Sequence, residues 1–543
     1  TARTFSLKTA VSPQAQPQPQ HQHQELFSVA PMMGHTNRHY RFLFRLLSEK
    51  SWLYTDMVPA SQIVSAYERA RVAYGVGNRT REGTASTPVD IDEVLEVARL
   101  WKLDPFREGY GVGRENVDKE ITLTELLALS DQVASELVEE SSLSSIGRRV
   151  TCENPVVLQL GGVNPITLAS AAAIGTAFGC AQGKGFVELN LNCGCPSAAV
   201  GGRMGGCALM RTPDVAARCV EGMKLGVEGV AERLPANSLR PRISVKHRLG
   251  TRDASCYDPK ADRLKNDEEA YEECASFVRA VTLGGNVSKC IVHSRLGLLG
   301  EFDPGAGPKL WVPGAATVGA NGKREKIDHK REQERARQRA RQATIKNRSV
   351  PPLRPEVVPR LADTFRDVQF VANGGIGSSS GIQDVRDVVE AHDKTVGAMV
   401  GRAVINHPCA FSMADQLWNA NFKSNQITRG DVLTAYAKYC DAEENRVMSL
   451  GASDQAIAFL RRRLVAAPFH LFTAEDGSDA YQRRLKALVN KVHLMTATDI
   501  LTAAGKSLPT ETWDKPVHDF VTPAQLPVYD GRKKSRTMER TIW

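Results

Sequence analysis

FVELNLNCGCPS, residues 186–197, is a short apolar run that ends in small, polar and chemically reactive residues. Seven further runs have the same form: SVAPMM (28–33), LYTDMV (53–58), VVLQLGG (156–162), ISVKHRLG (243–250), CIVHSRLG (290–297), QFVANGG (369–375) and GAMVGRA (397–403). Runs of this length, rich in Val, Ile and Leu, are typical of strands that are buried on both faces.

The segments between these runs have the apolar spacing of helices, as in HYRFLFRLLSEK (39–50) and PDVAARCVEGMK (213–224). Eight strands that alternate with helices predict an α/β fold, a (β/α)8 TIM barrel. In that fold the active site lies where the strands end. We therefore expect the site to be lined by the residues that close the runs: Met32, Gln159, Asn190, Asn192, Cys195, Lys246, His293, Arg295, Asn373 and Arg402.

Length and composition limit the class of protein. A chain of 543 residues is long enough for one barrel and a smaller domain. The net charge of +9 suits an anionic partner without requiring one. The 11 cysteines form no CxxC pair, which argues against a disulfide framework or a zinc site and favours a reducing compartment. No apolar run reaches the length of a membrane span.

The N-terminal region, 1–25, is predicted to be a disordered extension or the remnant of a transit peptide. Its first acidic residue is Glu25, whereas Arg3, Lys8 and several Ser and Thr residues precede it. An acid-poor, hydroxyl-rich start favours an organelle, either chloroplast or mitochondrion, with the cytoplasm as the alternative.

The barrel is expected to cover 26–420, with insertions at about 68–152 and 303–346. A basic run, 323–348, is either a solvated charged segment or a contact with RNA phosphates. Residues 428–505 predict a small helical domain with arginines available to a polyanion, and 506–543 predict a basic, Pro-rich tail.

Glycines and an arginine follow the last two predicted barrel strands and indicate a phosphate site. Asn373-Gly374-Gly375 ends the seventh strand and Gly401-Arg402 ends the eighth. Barrels commonly bind a phosphate at these two loops, where glycines let backbone N–H groups approach the anion and an arginine adds charge-assisted bonds.

Gln159 and Lys246 end the third and fifth strands and suit the polar edge of a flavin ring, which needs donors and a nearby cation. The alternative is that Lys246 is a buried partner of Glu188. His293 could hold a phosphate or ribityl oxygen, or be structural.

Cys195 lies between Gly194 and Pro196 on the loop after the fourth strand, where a thiol can act as an acid or a nucleophile. Cys193 competes for that role, and the alternative is that both cysteines are inert.

In these residues the chain resembles the tRNA-dihydrouridine synthases, and within them the A-type (20/20a) subfamily in its plant or cyanobacterial-like form. The matching stretches occur in family order: APMMGHTNRHYRFLFRLLS, LYTDMV, LQLGG, ELNLNCGCPS, VKHRLG, IVHSR, NRSVPPL, ANGGI and MVGRA. The resemblance implies an oxidoreductase that reduces uridine in the tRNA D-loop to 5,6-dihydrouridine, with FMN as cofactor and NADPH as reductant.

The resemblance also implies roles for individual residues. Cys195 would be the general acid. The residues that would hold FMN are Pro31, Met32, Gln159, Lys246, His293, Asn373, Gly374, Gly375, Gly401 and Arg402. Those that would contact uracil or tRNA are Asn192, Arg295, Arg38, Arg348 and Arg462.

The chain departs from the family pattern on the side expected to face RNA. MMGHTNRH stands where the family usually shows MMDWTDRH, and Ala198 and Ala199 replace a usual basic residue. Two alternatives therefore remain: a dihydrouridine-synthase-like subunit with a structural or RNA-binding role in an organellar protein or ribonucleoprotein assembly, and an FMN reductase of a small molecule.

Overall fold

The computed structural model describes residues 24–77, 88–103, 122–127, 155–183, 185–196, 205–264, 267–300, 351–393, 395–420, 427–449 and 451–522. The N-terminal residues 1–23, the insertion 303–346 with its basic run and Arg348, and the last part of the tail lie outside the described residues.

A closed parallel barrel forms the core, which confirms the predicted (β/α)8 fold. The strands of the described chain are β1 (Phe27–Val29), β2 (Trp52–Tyr54), β3 (Val58–Pro59), β4 (Val156–Gly161), β5 (Glu188–Cys193), β6 (Arg242–Arg248), β7 (Thr251–Asp253), β8 (Lys289–His293), β9 (Gly297–Leu299), β10 (Gln369–Asn373) and β11 (Val396–Val400). Eight of them, β1, β2, β4, β5, β6, β8, β10 and β11, form the barrel, which closes because β2 pairs with both β1 and β4. Each of the eight predicted runs contains or overlaps one barrel strand.

The remaining strands lie beyond the barrel. β3 pairs with the end of β4, and β7 pairs with β9 in a separate two-stranded sheet after the ends of β6 and β8. Sequence periodicity did not predict β7 and β9, which are three residues each.

Helices alternate with the barrel strands and continue into a C-terminal bundle. They are α1 (Arg38–Arg45), α2 (Ala60–Tyr74), α3 (Ile91–Leu103), α4 (Leu123–Leu127), α5 (Pro165–Ala181), α6 (Pro213–Ala231), α7 (Pro259–Leu264), α8 (Asp267–Thr282), α9 (Val357–Thr364), α10 (Ile382–Glu390), α11 (Arg402–Asn406), α12 (Arg429–Ser449), α13 (Asp454–Ala466), α14 (Ser478–Leu488), α15 (Ala497–Gly505) and α16 (Thr510–Trp513). Asparagine caps begin two of them: the side chains of Asn37 and Asn164 accept backbone N–H groups of the first turns of α1 and α5.

The first insertion begins later than the sequence predicts. The barrel helix α2 continues past residue 68 to Tyr74 and ends at Gly75, whose φ of 70° is the left-handed conformation that closes many helices. Within the insertion, α3 and α4 pack on the barrel helices. The Trp101 ring lies 5.1 Å from that of Phe178, and its indole N–H donates to Thr124 Oγ1 at 3.2 Å.

The C-terminal bundle also extends further than predicted. Residues after 506 form α16, and the chain to Thr522 packs on the bundle instead of starting a free tail. Arg429, fully buried, fixes this segment: it pairs with Glu475 at 2.7 Å and donates to the carbonyl oxygens of Pro516 and Asp519. The sequence does not reveal these contacts because they join residues almost ninety positions apart.

The bundle lies against α1 of the barrel. Arg38 pairs with Glu443 at 2.7 Å, His39 Nδ1 lies 2.9 Å from the Tyr439 hydroxyl, and the Phe42 and Tyr439 rings stack with centroids 4.0 Å apart. None of the helices in the described part of the chain combines the length and apolar character that crossing a membrane requires.

Candidate active site

Polar side chains from five neighbouring strands meet at the carboxyl end of the barrel. They are Gln159 on β4, Asn192 on β5, Lys246 on β6, His293 on β8 and Asn373 on β10. The register places Asn192 beside Lys246 and His293 beside Asn373. Alternate residues of a strand point to the same side of the sheet. These side chains and the ones two positions earlier on the same strands therefore lie on the inner surface of the barrel.

Lys246 bonds across this end of the barrel. Its Nζ donates to Asn373 Oδ1 at 3.0 Å, and Asn373 Nδ2 donates to the Met399 carbonyl at 2.9 Å. The alternative pairing of Lys246 with Glu188 is wrong, because Glu188 pairs with Lys289 at 2.7 Å and lies 3.9 Å from Arg242. The group that positions Lys246 is thus a neutral amide, which leaves the positive charge of Lys246 available to a ligand.

Burial and neighbouring positive charge alter the titration of this region. Burial lowers the pKa of Lys246 to about 8, with a further contribution from the charge of Arg248. The pKa of His293 is well below its usual value, first because of burial and then because of the charges of Arg248, Lys246, Arg295 and Arg402. His293 is therefore a neutral imidazole at physiological pH.

Four cations, Arg248, Lys246, Arg295 and Arg402, act together on the titration of His293. Burial, then repulsion from Arg248 and Arg402, also lowers the pKa of Arg295, which means that the charges disfavour one another. An anion placed among them would relieve this repulsion. The cluster therefore has the electrostatic character of a phosphate site.

Two positions beside His293 have a backbone conformation and neighbours that favour glycine. Gly374 and Gly375 have φ of +117° and +80°. A Cβ atom on Gly374 would lie 2.9 Å from His293 Cδ2, and one on Gly375 would lie 2.9 Å from Leu353 Cδ1. The glycines therefore let His293 and Leu353 pack directly against the backbone of this loop.

Hydrogen bonds with the side chains of Asn192 and Arg248 and with the backbone of Cys207 hold the loop that carries Cys195. Asn192 Oδ1 accepts the N–H groups of Gly194 and Cys195, both at 3.0 Å. The Cys195 carbonyl accepts the N–H of Cys207 at 2.7 Å. The buried Arg248 donates through Nε to the Gly194 carbonyl at 2.9 Å and through Nη1 to Leu296 at 2.8 Å.

The structure separates the two candidate thiols. Cys193 is the last residue of β5 and is fully buried, so burial raises its pKa well above the usual value. Cys195 is partly exposed, and its loop is held by Asn192 and by the guanidinium of Arg248. Of the two thiols, Cys195 is therefore the one that a ligand at the barrel mouth can reach.

The segment after β1 is fixed by a residue that the sequence analysis did not single out. Asp56 accepts the Gly34 N–H and the Thr36 hydroxyl, both at 2.9 Å, and Thr36 Oγ1 accepts the Met32 N–H at 3.0 Å. Met32 and Pro31 are half-buried, and Met32 Sδ lies 3.4 Å from the position that a Cβ of Gly401 would take. Asp56 is the polar residue inside the run LYTDMV, two positions after the end of β2, so its place after a strand was a usable signal.

The residues predicted to contact uracil or tRNA lie in different places. Arg295 donates to the Pro351 carbonyl near the barrel mouth. Arg38 is only 10% exposed in its pair with Glu443, so it joins the barrel to the bundle. Arg462 is half-buried on α13. Arg402, which was predicted to hold FMN, is exposed at the start of α11.

Comparisons with known proteins agree with this architecture. The family model for dihydrouridine synthase (Dus) matches residues 28–82 and 106–464. A tRNA-dihydrouridine(20/20a) synthase from Synechocystis sp. is 27% identical over 416 residues, which are 76% of this chain and 78% of that protein. Proteins of the same name from Xanthomonas axonopodis pv. citri and Shewanella oneidensis are 28% and 24% identical, over 77% and 86% of this chain and 78% and 89% of their own lengths. The matches therefore span the barrel and reach the C-terminal helices.

Proposed function

The chain belongs to the dihydrouridine synthase family, and we propose that it reduces uridine in the D-loop of tRNA to 5,6-dihydrouridine, as an enzyme of the 20/20a type. The observation that carries this proposal is the partly exposed Cys195, fixed on a loop at the barrel mouth beside Lys246 and Arg248. A positioned proton donor next to a ring of amides and a cationic cluster suits reduction of a carbon–carbon double bond in a planar base.

The described residues fit FMN as the cofactor. The cluster of Arg248, Arg295 and Arg402 around His293 suits its phosphate, and Gly374 and Gly375 lie beside it in backbone conformations that favour glycine. The amides of Gln159 and Asn373 and the ammonium of Lys246 suit the polar edge of the flavin ring, while Met32 at the end of β1 supplies an apolar contact. FMN, reduced by NADPH, would supply the hydride that carbon 6 of the uracil receives.

The protein's own groups orient the base and supply the proton. Asn192 and Arg295 are the residues that we assign to the uracil, which must leave the RNA stack to reach the barrel mouth. Proton transfer from Cys195 breaks its S–H bond and forms a C–H bond at carbon 5. The thiolate that remains is stabilised by the positive charges of Lys246 and Arg248.

The C-terminal bundle is the part of the chain that we assign to the tRNA backbone. Arg462, Arg483 and Arg484 lie on α13 and α14, and the chain as a whole carries a net charge of +9. Binding through phosphates is sensitive to salt because condensed counterions are released. An organellar location is also proposed, on the composition of residues 1–25 alone.

Mass spectrometry of tRNA nucleosides tests the function directly. Purified protein, reconstituted with FMN and incubated with NADPH and unmodified tRNA, is expected to convert D-loop uridine into a nucleoside heavier by two hydrogens. The same mixture without NADPH is the control. A protein that stays colourless after reconstitution would contradict the enzyme and favour a structural or RNA-binding subunit.

The titration of Lys246 predicts how the affinity for FMN depends on pH. Its pKa of about 8 means that the ammonium is charged below pH 8 and loses its charge as the pH rises. The phosphate of FMN is already doubly charged above about pH 7, since its second pKa is about 6. Affinity measured by quenching of flavin fluorescence should therefore fall severalfold as the pH rises through 8.

Lys246→Gln is the matched variant for this measurement, because its amide keeps a donor near Asn373 and removes the charge. We expect it to bind FMN more weakly at neutral pH and with little change through pH 8. An unchanged pH profile in the variant would show that another group causes the dependence.

A further inference from the structure

An unbroken series of hydrogen bonds runs through the barrel core, from a buried carboxylate to the Cys195 loop. In order, it joins Glu188, Ser244, Asn190, Gln159, Asn192 and the N–H groups of Gly194 and Cys195. Asn190 Nδ2 lies 2.7 Å from Ser244 Oγ. Gln159 Nε2 lies 2.8 Å from Asn190 Oδ1, and Gln159 Oε1 lies 3.1 Å from Asn192 Nδ2. The series from Glu188 to Cys195 is called the amide ladder below.

Every link of the amide ladder points the same way. The Ser244 hydroxyl donates its single proton to Glu188, so Ser244 Oγ is an acceptor for Asn190. Each amide oxygen then accepts from the next amide nitrogen, until Asn192 Oδ1 accepts two backbone N–H groups. A carboxylate at one end can only accept, and N–H groups at the other end can only donate, so both ends require this direction. Reversing any one link would place two donors or two acceptors face to face.

Charged groups at the base of the barrel surround the carboxyl group at the lower end of the ladder: burial raises the pKa of Glu188, and the charges of Lys289 and Arg242 oppose that rise. Glu188, Glu25 and Lys289 are fully buried, and Lys289 bridges the two carboxylates. Arg242 Nη2 lies 3.9 Å from Glu188, so two carboxylates face two cations and the cluster is neutral when all four groups are charged. The Tyr54 hydroxyl completes it by donating to Glu25 at 3.1 Å.

We propose that Ser244 and Glu188 are positioning residues for the active site. Through the amide ladder they orient the side chains of Gln159 and Asn192 and hold the backbone of the Cys195 loop. None of these contacts is to the reacting atoms, since Ser244 and Glu188 lie two and four residues below the barrel mouth on β6 and β5. The inference rests on the proposed function only in treating Cys195 as the proton donor.

Hydrogen exchange of the unaltered protein is the first test. The backbone N–H groups of Gly194 and Cys195 lie on a partly exposed loop. Both nevertheless donate to Asn192 Oδ1, at the end of the amide ladder. We expect both to exchange slowly in the absence of substrate. Exchange as fast as that of the exposed Gly300 would overturn the proposal without any variant.

Ser244→Ala breaks the ladder next to its lower end, between Glu188 and Asn190, and leaves the ion pair of Glu188 with Lys289 in place. The N–H groups of Gly194 and Cys195 should exchange about fivefold faster, which corresponds to the loss of one hydrogen bond. The kcat for dihydrouridine formation should fall about 10- to 100-fold, as for other outer hydrogen-bonding partners, while KM for tRNA is unchanged. Ser244→Thr restores the hydroxyl and should restore slow exchange and kcat together.

Tyr54→Phe is the matched control, because it removes a buried hydrogen bond from the same charged cluster but not from the ladder. It should lower the thermal midpoint about as much as Ser244→Ala and leave loop exchange and kcat unchanged. Equal exchange and kcat effects from both variants would overturn the proposal, since they would reflect lost stability alone. Unaltered exchange in Ser244→Ala would refute the ladder and leave the proposed function standing, whereas an active Cys195→Ala protein would refute the proton donor and leave the ladder standing.

Discussion

Cys195→Ala is expected to retain FMN and lose nearly all dihydrouridine formation. Its thiol is the partly exposed one of the two, on the loop that Asn192 and Arg248 hold at the barrel mouth. Removal of a positioned general acid costs about 10²- to 10⁴-fold in rate. Single-turnover formation of dihydrouridine, measured after reduction of the flavin, isolates this step from cofactor binding and NADPH oxidation.

Cys193→Ala is the matched control for this experiment. Cys193 is fully buried and burial raises its pKa, so it has no route to a substrate at the barrel mouth. We expect its alanine variant to lose some stability through the small cavity and to keep the rate of the folded enzyme. Loss of turnover in Cys193→Ala with retention in Cys195→Ala would reassign the acid.

The eight strands could be predicted because a barrel strand is buried on both faces and therefore appears as an apolar run. The polar residues toward the end of each run indicated the carboxyl ends of the strands, where the barrel mouth lies. This end of the barrel holds Gln159, Lys246, His293 and Asn373. Their cross-strand partners could not be predicted. Pairing of Lys246 with Glu188 was wrong because the register places Lys246 beside Asn192, four residues or about 13 Å further along the strand.

Contacts between distant parts of the chain account for the other differences. The family resemblance assigned Arg38 to uracil or tRNA, but α1 presents it to Glu443 of the bundle. The bundle extends beyond 506 because Arg429 binds the carbonyl groups of Pro516 and Asp519. Ser244 and Lys289 gave no local signal, since a single polar residue within an apolar run does not reveal its partners across the barrel.

Lys289→Met is expected to be the most destabilising single change that we can name in the barrel. Lys289 bridges Glu25 and Glu188, all three are fully buried, and its Nζ lies 4.3 Å from the centre of the Trp52 ring. Methionine fills a similar volume but leaves two buried carboxylates with Arg242 as the nearby cation at 3.9 Å from Glu188. Breaking a buried pair from one side costs about 3–5 kcal/mol, a large share of a typical folding free energy of roughly 5–15 kcal/mol.

The pH dependence of this loss distinguishes uncompensated charge from poor packing. Burial already raises the pKa of Glu188 in the folded protein, and loss of the Lys289 charge should raise it further, so the folded protein binds more protons than the unfolded chain. The stability of the variant should then fall as the pH rises from the unfolded value near 4.5 through the raised folded value, and acidification should recover part of the loss. Urea unfolding followed at a series of pH values measures this directly.

Two further variants make that measurement decisive. Glu25→Gln and Glu188→Gln introduced together with Lys289→Met remove all three charges, and this triple variant should regain stability at neutral pH and show little dependence on pH. Lys224→Met removes a half-buried surface lysine, 4.0 Å from Glu228 and 3.5 Å from Asn286 Oδ1, and should change stability by less than about 0.5 kcal/mol. If Lys289→Met lost stability equally at every pH, the cause would be packing against Trp52, and the charge balance proposed for the base of the amide ladder would be wrong.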